Sequence, residues 1–168
     1  GTSRTTQLFY TIPSDDNLQV FTGNITTSNS DITIGSINGG FGTTAGTYSL
    51  SISNGSGVIT LGNVGDTIAL YELTLAGTGN TVVGSLNTTY RYNLGANRGL
   101  TLSANTTYEN PSDAVVLGNI TLLDGVILTL GNGGPATISI NSIAGTASGT
   151  ASYIVINSVG TVGVTSTI

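Results

Sequence analysis

The feature that most constrains this chain of 168 residues is a short run of alternating apolar and polar residues that recurs along its length. Such alternation places the apolar side chains on one face of an extended strand. Gly and β-branched residues are spread throughout, and no window holds the i, i+3, i+4, i+7 apolar pattern of a helix free of Gly. The chain is therefore expected to be all-β.

The alternating runs come in pairs, a first run followed after a turn by a second run. The first runs span residues 32–37, 59–64, 82–86, 116–120 and 138–143. The second runs begin at residues 48, 71, 99, 126 and 153, at intervals of 23, 28, 27 and 27 residues. A period between about 20 and 50 residues is typical of solenoids and repeat arrays. One domain over residues 1–168 is predicted, with an N-terminal strand or cap region (1–30), five strand-turn-strand units (31–160) and a C-terminal edge strand (161–168).

Two architectures fit this repeat. A β-solenoid is favoured because a similar unit repeats head to tail, and stacked units would bury a continuous apolar column. A two-sheet β-sandwich or jelly roll, with the first runs in one sheet and the second runs in the other, is the alternative. In either case the Gly or Asn residues of the first runs are expected at equivalent positions, namely 35, 62, 84, 118 and 141.

The composition excludes several classes of function. The sequence has 29 Thr, 25 Gly, 18 Ser and 16 Asn, while Cys, His, Met, Trp and Lys are absent and the net charge is −5. Without Cys and His there is no usual zinc site, disulfide, thiol nucleophile or Ser-His-Asp triad. Three scattered Arg residues give no electrostatic footprint for nucleic acid. No apolar run reaches the 18 to 20 or so residues of a membrane span. We expect no enzyme and no cofactor.

The acidic residues do not suggest a catalytic or metal site. Asp15 and Asp16, near Asn17 and Asp31, could contribute oxygen ligands to Ca²⁺, but the repeated acidic loop of calcium-binding repeats is missing and a solvated turn is the favoured interpretation. A pair of carboxylates for glycoside hydrolysis would have to face each other across a cleft. The other candidates fall at differing positions of the repeat: Asp66, Glu72, Asp113 and Asp124.

Tyrosines are the remaining candidates for ligand contact. Residues 90–92, Tyr-Arg-Tyr, could stack on a sugar ring or pair with a carboxylate, although an exposed strand is the favoured interpretation. Tyr48, Tyr71 and Tyr153 each begin a second run. Stacking between neighbouring strands explains these three more simply than a ligand-binding ladder does.

Two stretches resemble a known family. Residues 57–80, which include Gly-Val-Ile-Thr-Leu-Gly-Asn-Val-Gly, and residues 99–131, which include Gly-Val-Ile-Leu-Thr-Leu-Gly, are similar to the repeats of bacterial autotransporter passengers and haemagglutinin-like β-strand-repeat surface proteins. The resemblance implies an exported, fibrous, non-enzymatic protein, often a right-handed β-solenoid. Five glycosylation sequons fit an exported protein: Asn24, Asn54, Asn87, Asn105 and Asn119.

These observations lead to a structural function. Low charge and the absence of Lys leave strand edges without their usual protection. We expect a secreted or cell-surface subunit that polymerises with itself by strand addition, through either terminus. The contact residues are predicted to be Leu8, Tyr10 and Ile12, or Val162, Val164 and Ile168. The alternative is an adhesin or carbohydrate-binding module of a larger surface protein, with host or surface glycans as partners.

Overall fold

The computed structural model describes residues 22–40, 44–146 and 149–165, together with the backbone of residues 10–20. This part of the chain is all-β and contains no helix. Its strands are β1 (Tyr10–Val20), β2 (Gly23–Thr26), β3 (Ile32–Gly39), β4 (Ser49–Ser53), β5 (Ile59–Leu61), β6 (Leu70–Ala76), β7 (Asn80–Val83), β8 (Thr88–Asn93), β9 (Gly99–Leu102), β10 (Thr106–Tyr108), β11 (Ala114–Leu122), β12 (Ile127–Leu130), β13 (Thr137–Gly145), β14 (Tyr153–Ile156) and β15 (Val162–Val164).

The strands wind into a parallel β-solenoid of about six turns, which confirms the favoured fold. Each turn contributes to three sheets. The first sheet consists of the first parts of β1 and β3, then β5, β7 and β9, and the last parts of β11 and β13. The second consists of the last parts of β1 and β3, bridges at Val64 and Leu86, and β10, β12 and β14. The third consists of β2, β4, β6, β8, the first parts of β11 and β13, and β15.

The inward-facing residues of all three sheets meet in one core. In the second sheet, for example, Val64, Leu86, Tyr108 and Leu130 stack in register and are each at most 1% exposed. Equivalent columns run through the other two sheets. Because the side chains of a strand alternate, the outward positions carry the Thr, Ser and Asn residues that dominate the composition.

The equivalence predicted for the second runs is wrong. The runs that begin at residues 48 and 71 lie in the third sheet, the run at 99 lies in the first, and those at 126 and 153 lie in the second. The reason is that the turns differ in length. Twenty-seven residues separate Ile34 from its partner Leu61, whereas 19 separate Leu73 from Tyr92. The 28 residues between the starts of the second runs at 71 and 99 therefore cover one full turn and one further strand. For this reason the run at 99 lies in the next sheet.

The Gly and Asn positions divide between two corners for the same reason. Gly35, Gly62 and Gly84 stack where the first sheet meets the second, and a Cβ atom at Gly62 would collide with the Gly35 carbonyl oxygen. Gly118 and Asn141 lie side by side at the corner between the third and first sheets. The close approach of the backbones explains why Gly is needed at Gly62.

Candidate functional site

The C-terminal end of the solenoid leaves part of the core open in the described residues. Val162 and Val164 in β15 pair with Ile138 and Ile140 in β13. Those partners are 0% and 1% exposed, whereas Val162 and Val164 are 37% and 40% exposed. In the second sheet Ile156 is 42% exposed, although the residue it pairs with is fully buried. Side chains that face the core in the preceding turn thus lie open at this end.

The same end lacks the devices that usually protect strand edges. Residues 149–165 contain no charged residue and no Pro. Within the described part of the chain, β14 pairs only with β12 and β15 pairs only with β13. Their outer edges therefore present backbone N–H and C=O groups to solvent, and such groups can template pairing with another strand.

The N-terminal strand β1 has more of the features that prevent strand addition. The register between β1 and β3 shifts between Ile12 and Asn17. The residues at this irregularity are Pro13, Ser14, Asp15 and Asp16. Proline, irregular pairing and acidic side chains all disfavour the addition of a further strand.

The residues predicted for strand addition fall at both ends. Tyr10 and Ile12 lie in β1, paired with Ile32 and Ile34 in β3. Val162 and Val164 lie in β15, as described above. Leu8 and Ile168 lie outside the described residues. Contact between these six residues and another subunit stays a prediction.

The five sequons differ in how accessible their Asn side chains are. Asn24, Asn105 and Asn119 are exposed, Asn87 is half-buried and Asn54 is fully buried. The Asn54 amide nitrogen donates to the carbonyl oxygens of Ser30 (3.1 Å) and Val58 (3.2 Å). In the folded chain this nitrogen therefore forms part of the corner between the third and first sheets.

The same corner contains Arg98, whose role the sequence did not suggest. Its side chain is completely buried, and its guanidinium donates five hydrogen bonds. The acceptors are Asn54 Oδ1, Thr81 Oγ1 and the carbonyl oxygens of Gly57, Ala76 and Asn80, at 2.8 to 3.1 Å. Burial lowers the pKa of the guanidinium from its ordinary value. Arg98 thus connects three successive corners of the solenoid.

A cluster of aromatic and charged side chains lies on the third sheet. The rings of Tyr71 and Tyr90 stack with their centroids 4.8 Å apart and nearly parallel planes. Arg91 Nε donates to Glu72 Oε1 at 2.8 Å, and the Arg91 guanidinium lies over the Tyr90 ring at 5.5 Å. The Asp113 carboxylate, through its charge and a hydrogen bond, raises the pKa of Tyr90.

An irregularity in strand pairing produces this cluster. Leu70 pairs with Thr88 and Glu72 pairs with Arg91, so β8 contains one residue more than β6 over this stretch. Such a bulge bends the strand and redirects a side chain. Tyr92, predicted to be part of an exposed strand, is instead completely buried. The alternation of the sequence could not show the burial of Tyr92. The extra residue in β8 changes which face of the sheet the following side chains occupy.

The predicted Tyr stack is only partly present. Tyr48 directly precedes β4, Tyr71 lies in the neighbouring strand β6, and the Tyr71 amide donates to the Tyr48 carbonyl oxygen at 2.8 Å. Tyr153 lies in the second sheet, so it cannot belong to the same row. The sequence could not reveal that Tyr90, at a different position in the repeat, takes the next place beside Tyr71.

The acidic residues form no metal site in the described residues, where no group of three or more potential ligands comes together. Asp31 accepts a hydrogen bond from the Val58 amide at 2.8 Å, which ties it to the corner of the following turn. Asp15 and Asp16 fall within β1, whose side chains are not described.

The fold places this chain among the repetitive β-strand proteins that form parallel solenoids. No protein-family model, curated protein or solved structure matches it. The described residues also form no helix that could span a membrane.

Proposed function

We propose that this protein is a non-enzymatic, extracellular structural protein whose subunits assemble into a fibre or layer by strand addition. The main support for this proposal comes from the C-terminal end of the solenoid. There Ile156, Val162 and Val164 continue the core columns yet are 37% to 42% exposed. Covering these side chains would remove apolar surface from water, which favours association. The unpaired edge of β15 would add backbone hydrogen bonds.

The partner surface proposed on the neighbouring subunit is β2. This strand (Gly23–Thr26) is uncharged, pairs with β4 on one side, and belongs to the same sheet as β15. Addition of β15 to the β2 edge of the next copy would continue the third sheet in parallel from one subunit to the next. A contact between two different surfaces of identical subunits produces a ring if the rotation between copies closes and a filament if it does not. Addition along the solenoid axis places each copy beyond the previous one, so it produces a filament.

A place on the cell surface is part of this proposal. It is supported by the low charge, by the absence of Lys and by the resemblance to the repeats of bacterial surface proteins. Like those repeats, this chain builds parallel strands from short alternating runs separated by Gly- and Asn-rich corners.

Charged substitutions at the C-terminal end test the proposal. The double variant Val162→Asp/Val164→Asp places two carboxylates on the proposed contact, and it is expected to remain folded but to stay monomeric in sedimentation velocity. Thr33→Asp is a suitable control because Thr33 is exposed on the outer face of the first sheet. The proposal fails if the double variant assembles as the wild type does, or if the wild-type chain is itself monomeric at all concentrations.

A further inference from the structure

We propose that the outer face of the third sheet carries a binding groove for a neutral sugar ring of a glycan chain. The groove has a volume of about 280 Å³ and runs across β2, β4 and β6. Its polar lining includes Asn24, Ser49, Ser51, Glu72 and Thr74. This activity is separate from assembly, because it uses the outward side chains of the sheet rather than its edge.

The lining offers the functional groups that a polyhydroxyl ligand requires. Ser and Thr hydroxyls both donate and accept hydrogen bonds, the Asn amide does the same, and a carboxylate accepts. Ser49 pairs with Glu72 and Ser51 pairs with Thr74 across β4 and β6. These groups therefore lie in rows one strand spacing apart, about 4.8 Å.

Part of this lining is held in place before any ligand binds. Glu72 Oε1 accepts hydrogen bonds from Thr74 Oγ1 at 2.9 Å and from Arg91 Nε at 2.8 Å. A carboxylate fixed in this way loses little conformational entropy when a ligand binds, which favours affinity.

An exposed tyrosine directly precedes Glu72, which lines the groove. This residue, Tyr71, is 40% exposed and is held by its stack on Tyr90. Aromatic side chains with a polar tip offer rigid contact area for the C–H groups of a ligand together with a hydroxyl for its polar groups. The bulge in β8 that turns Tyr90 toward Tyr71 is the kind of irregularity that recurs next to binding sites.

The local charge favours a neutral sugar over an acidic one. Arg91 is already paired with Glu72, and Asp113 hydrogen-bonds to Tyr90 in the same cluster. Two carboxylates therefore surround a single guanidinium. A uronic or sialic acid would bring a third negative charge to this surface, and like charges at short range repel.

The concentration of unusual groups argues against a purely structural role. Charged residues make up 7% of the sequence, and the ion pair between Arg91 and Glu72 lies beside the stacked tyrosines. The core of the solenoid does not need these exposed groups, because its columns run beneath them. Departures from a regular repeat of this kind are expected at functional positions.

Titration of the ¹⁵N-labelled protein with cellohexaose, chitohexaose and a hyaluronan hexasaccharide, followed by NMR, tests the proposal. The Val162→Asp/Val164→Asp variant serves as background, so that a failure of binding is separable from a failure of assembly. At least one neutral oligosaccharide is expected to shift the amide signals of Ser51, Glu72 and Thr74, and hyaluronan should bind more weakly. The proposal is overturned if no neutral probe binds, if the affinity for hyaluronan equals or exceeds that for the neutral probes, or if the shifts map to another sheet.

Substitutions at the groove separate a binding role from a structural one. Tyr71→Ala and Glu72→Gln are each expected to weaken binding of the neutral probe by about tenfold. Tyr153→Ala, which removes an exposed tyrosine from the second sheet, should leave the affinity unchanged. Preserved dispersion of the amide spectrum shows that each variant is folded. Equal affinity of the Tyr71 and Tyr153 variants would contradict the proposal.

Discussion

Arg98 is a buried cation without a carboxylate partner among the described residues, and its burial depends on complete hydrogen bonding. Its five donors all find acceptors, which come from Asn54 to Thr81 and therefore from corners far apart in sequence. An ionised group buried without such partners would be strongly unfavourable. The planar fork of a guanidinium supplies this set of donors, and an ammonium group cannot.

Replacement of Arg98 by Lys should therefore destabilise the fold. Arg98→Lys leaves at least two buried acceptors without donors and is expected to lower the free energy of unfolding by about 2–4 kcal/mol. Urea denaturation measures this change. Arg91→Lys is the matched control, since the Arg91 side chain is 47% exposed and an ion pair open to solvent contributes little to stability. Equal losses in the two variants would contradict the role given to Arg98.

The two buried tyrosines should respond differently to loss of their hydroxyl groups. The Tyr108 hydroxyl donates to the Val83 carbonyl oxygen at 3.0 Å, whereas the buried Tyr92 hydroxyl has no partner among the described residues. Tyr108→Phe is expected to cost about 1 kcal/mol, and Tyr92→Phe to be neutral or stabilising. Thermal unfolding of both variants measures the difference. Destabilisation by Tyr92→Phe as large as that by Tyr108→Phe would contradict it.

Tyr92 and Tyr108 should also make the free energy of unfolding depend on pH in the alkaline range. Burial raises the pKa of both Tyr92 and Tyr108 above the ordinary value of 10.0. The unfolded chain then loses these protons before the folded chain does, so stability is complete below about pH 10 and falls as the pH rises further. We expect a decline of about 1.4 kcal/mol per pH unit for each group. The Tyr92→Phe variant should show a shallower decline, and an unchanged slope would contradict the assignment.

At the scale of the strands, the corners determine the register. Gly62 lies against the Gly35 carbonyl of the previous turn, and Gly84 lies against Gly62. Gly62→Ala is expected to cost about 1–3 kcal/mol, because backbone cannot move aside as a flexible side chain can. Gly145→Ala is the control, since a Cβ atom there would meet nothing within 4 Å. Chemical denaturation compares the two variants, and similar losses would show that the corner is not tightly packed.

The sequence predicted the strands better than their arrangement. Alternation identified runs such as Tyr48–Ile52 and Ile138–Ile143 because each strand has one buried face. It did not predict that β11 and β13 continue around a corner at Gly118 and Asn141, where earlier turns have a loop. Turn length is set by packing between successive turns, which no local pattern contains.

The candidate sites were predictable to a similarly limited extent. Val162 and Val164 were chosen because they alternate with polar or small residues in an uncharged run, and the structure places them beside the core residues Ile138 and Ile140. The Tyr71 and Tyr90 stack was missed because it depends on a one-residue bulge. Arg98 was missed because its acceptors lie 17 to 44 residues away in the sequence.

At the scale of the whole molecule, the solenoid has a polar outer surface and, at its C-terminal end, exposed apolar core residues. Thr, Ser and Asn side chains cover the sheets, which makes lateral association through a large apolar patch unfavourable. The exposed core residues Ile156, Val162 and Val164 are instead concentrated at one end. This division favours growth along the solenoid axis.

Axial growth predicts a definite repeat. The third sheet contains seven strands from β2 to β15. Seven strands at about 4.8 Å give a subunit repeat of about 34 Å if β15 of one copy pairs directly with β2 of the next.

Cryo-electron microscopy of the concentrated 168-residue chain tests this account most directly. It should show unbranched filaments whose strands lie perpendicular to the long axis, with a strand spacing near 4.8 Å and a subunit repeat of about 34 Å. Dispersed single particles at every concentration, or filaments whose strands run along the axis, would contradict assembly through the C-terminal end.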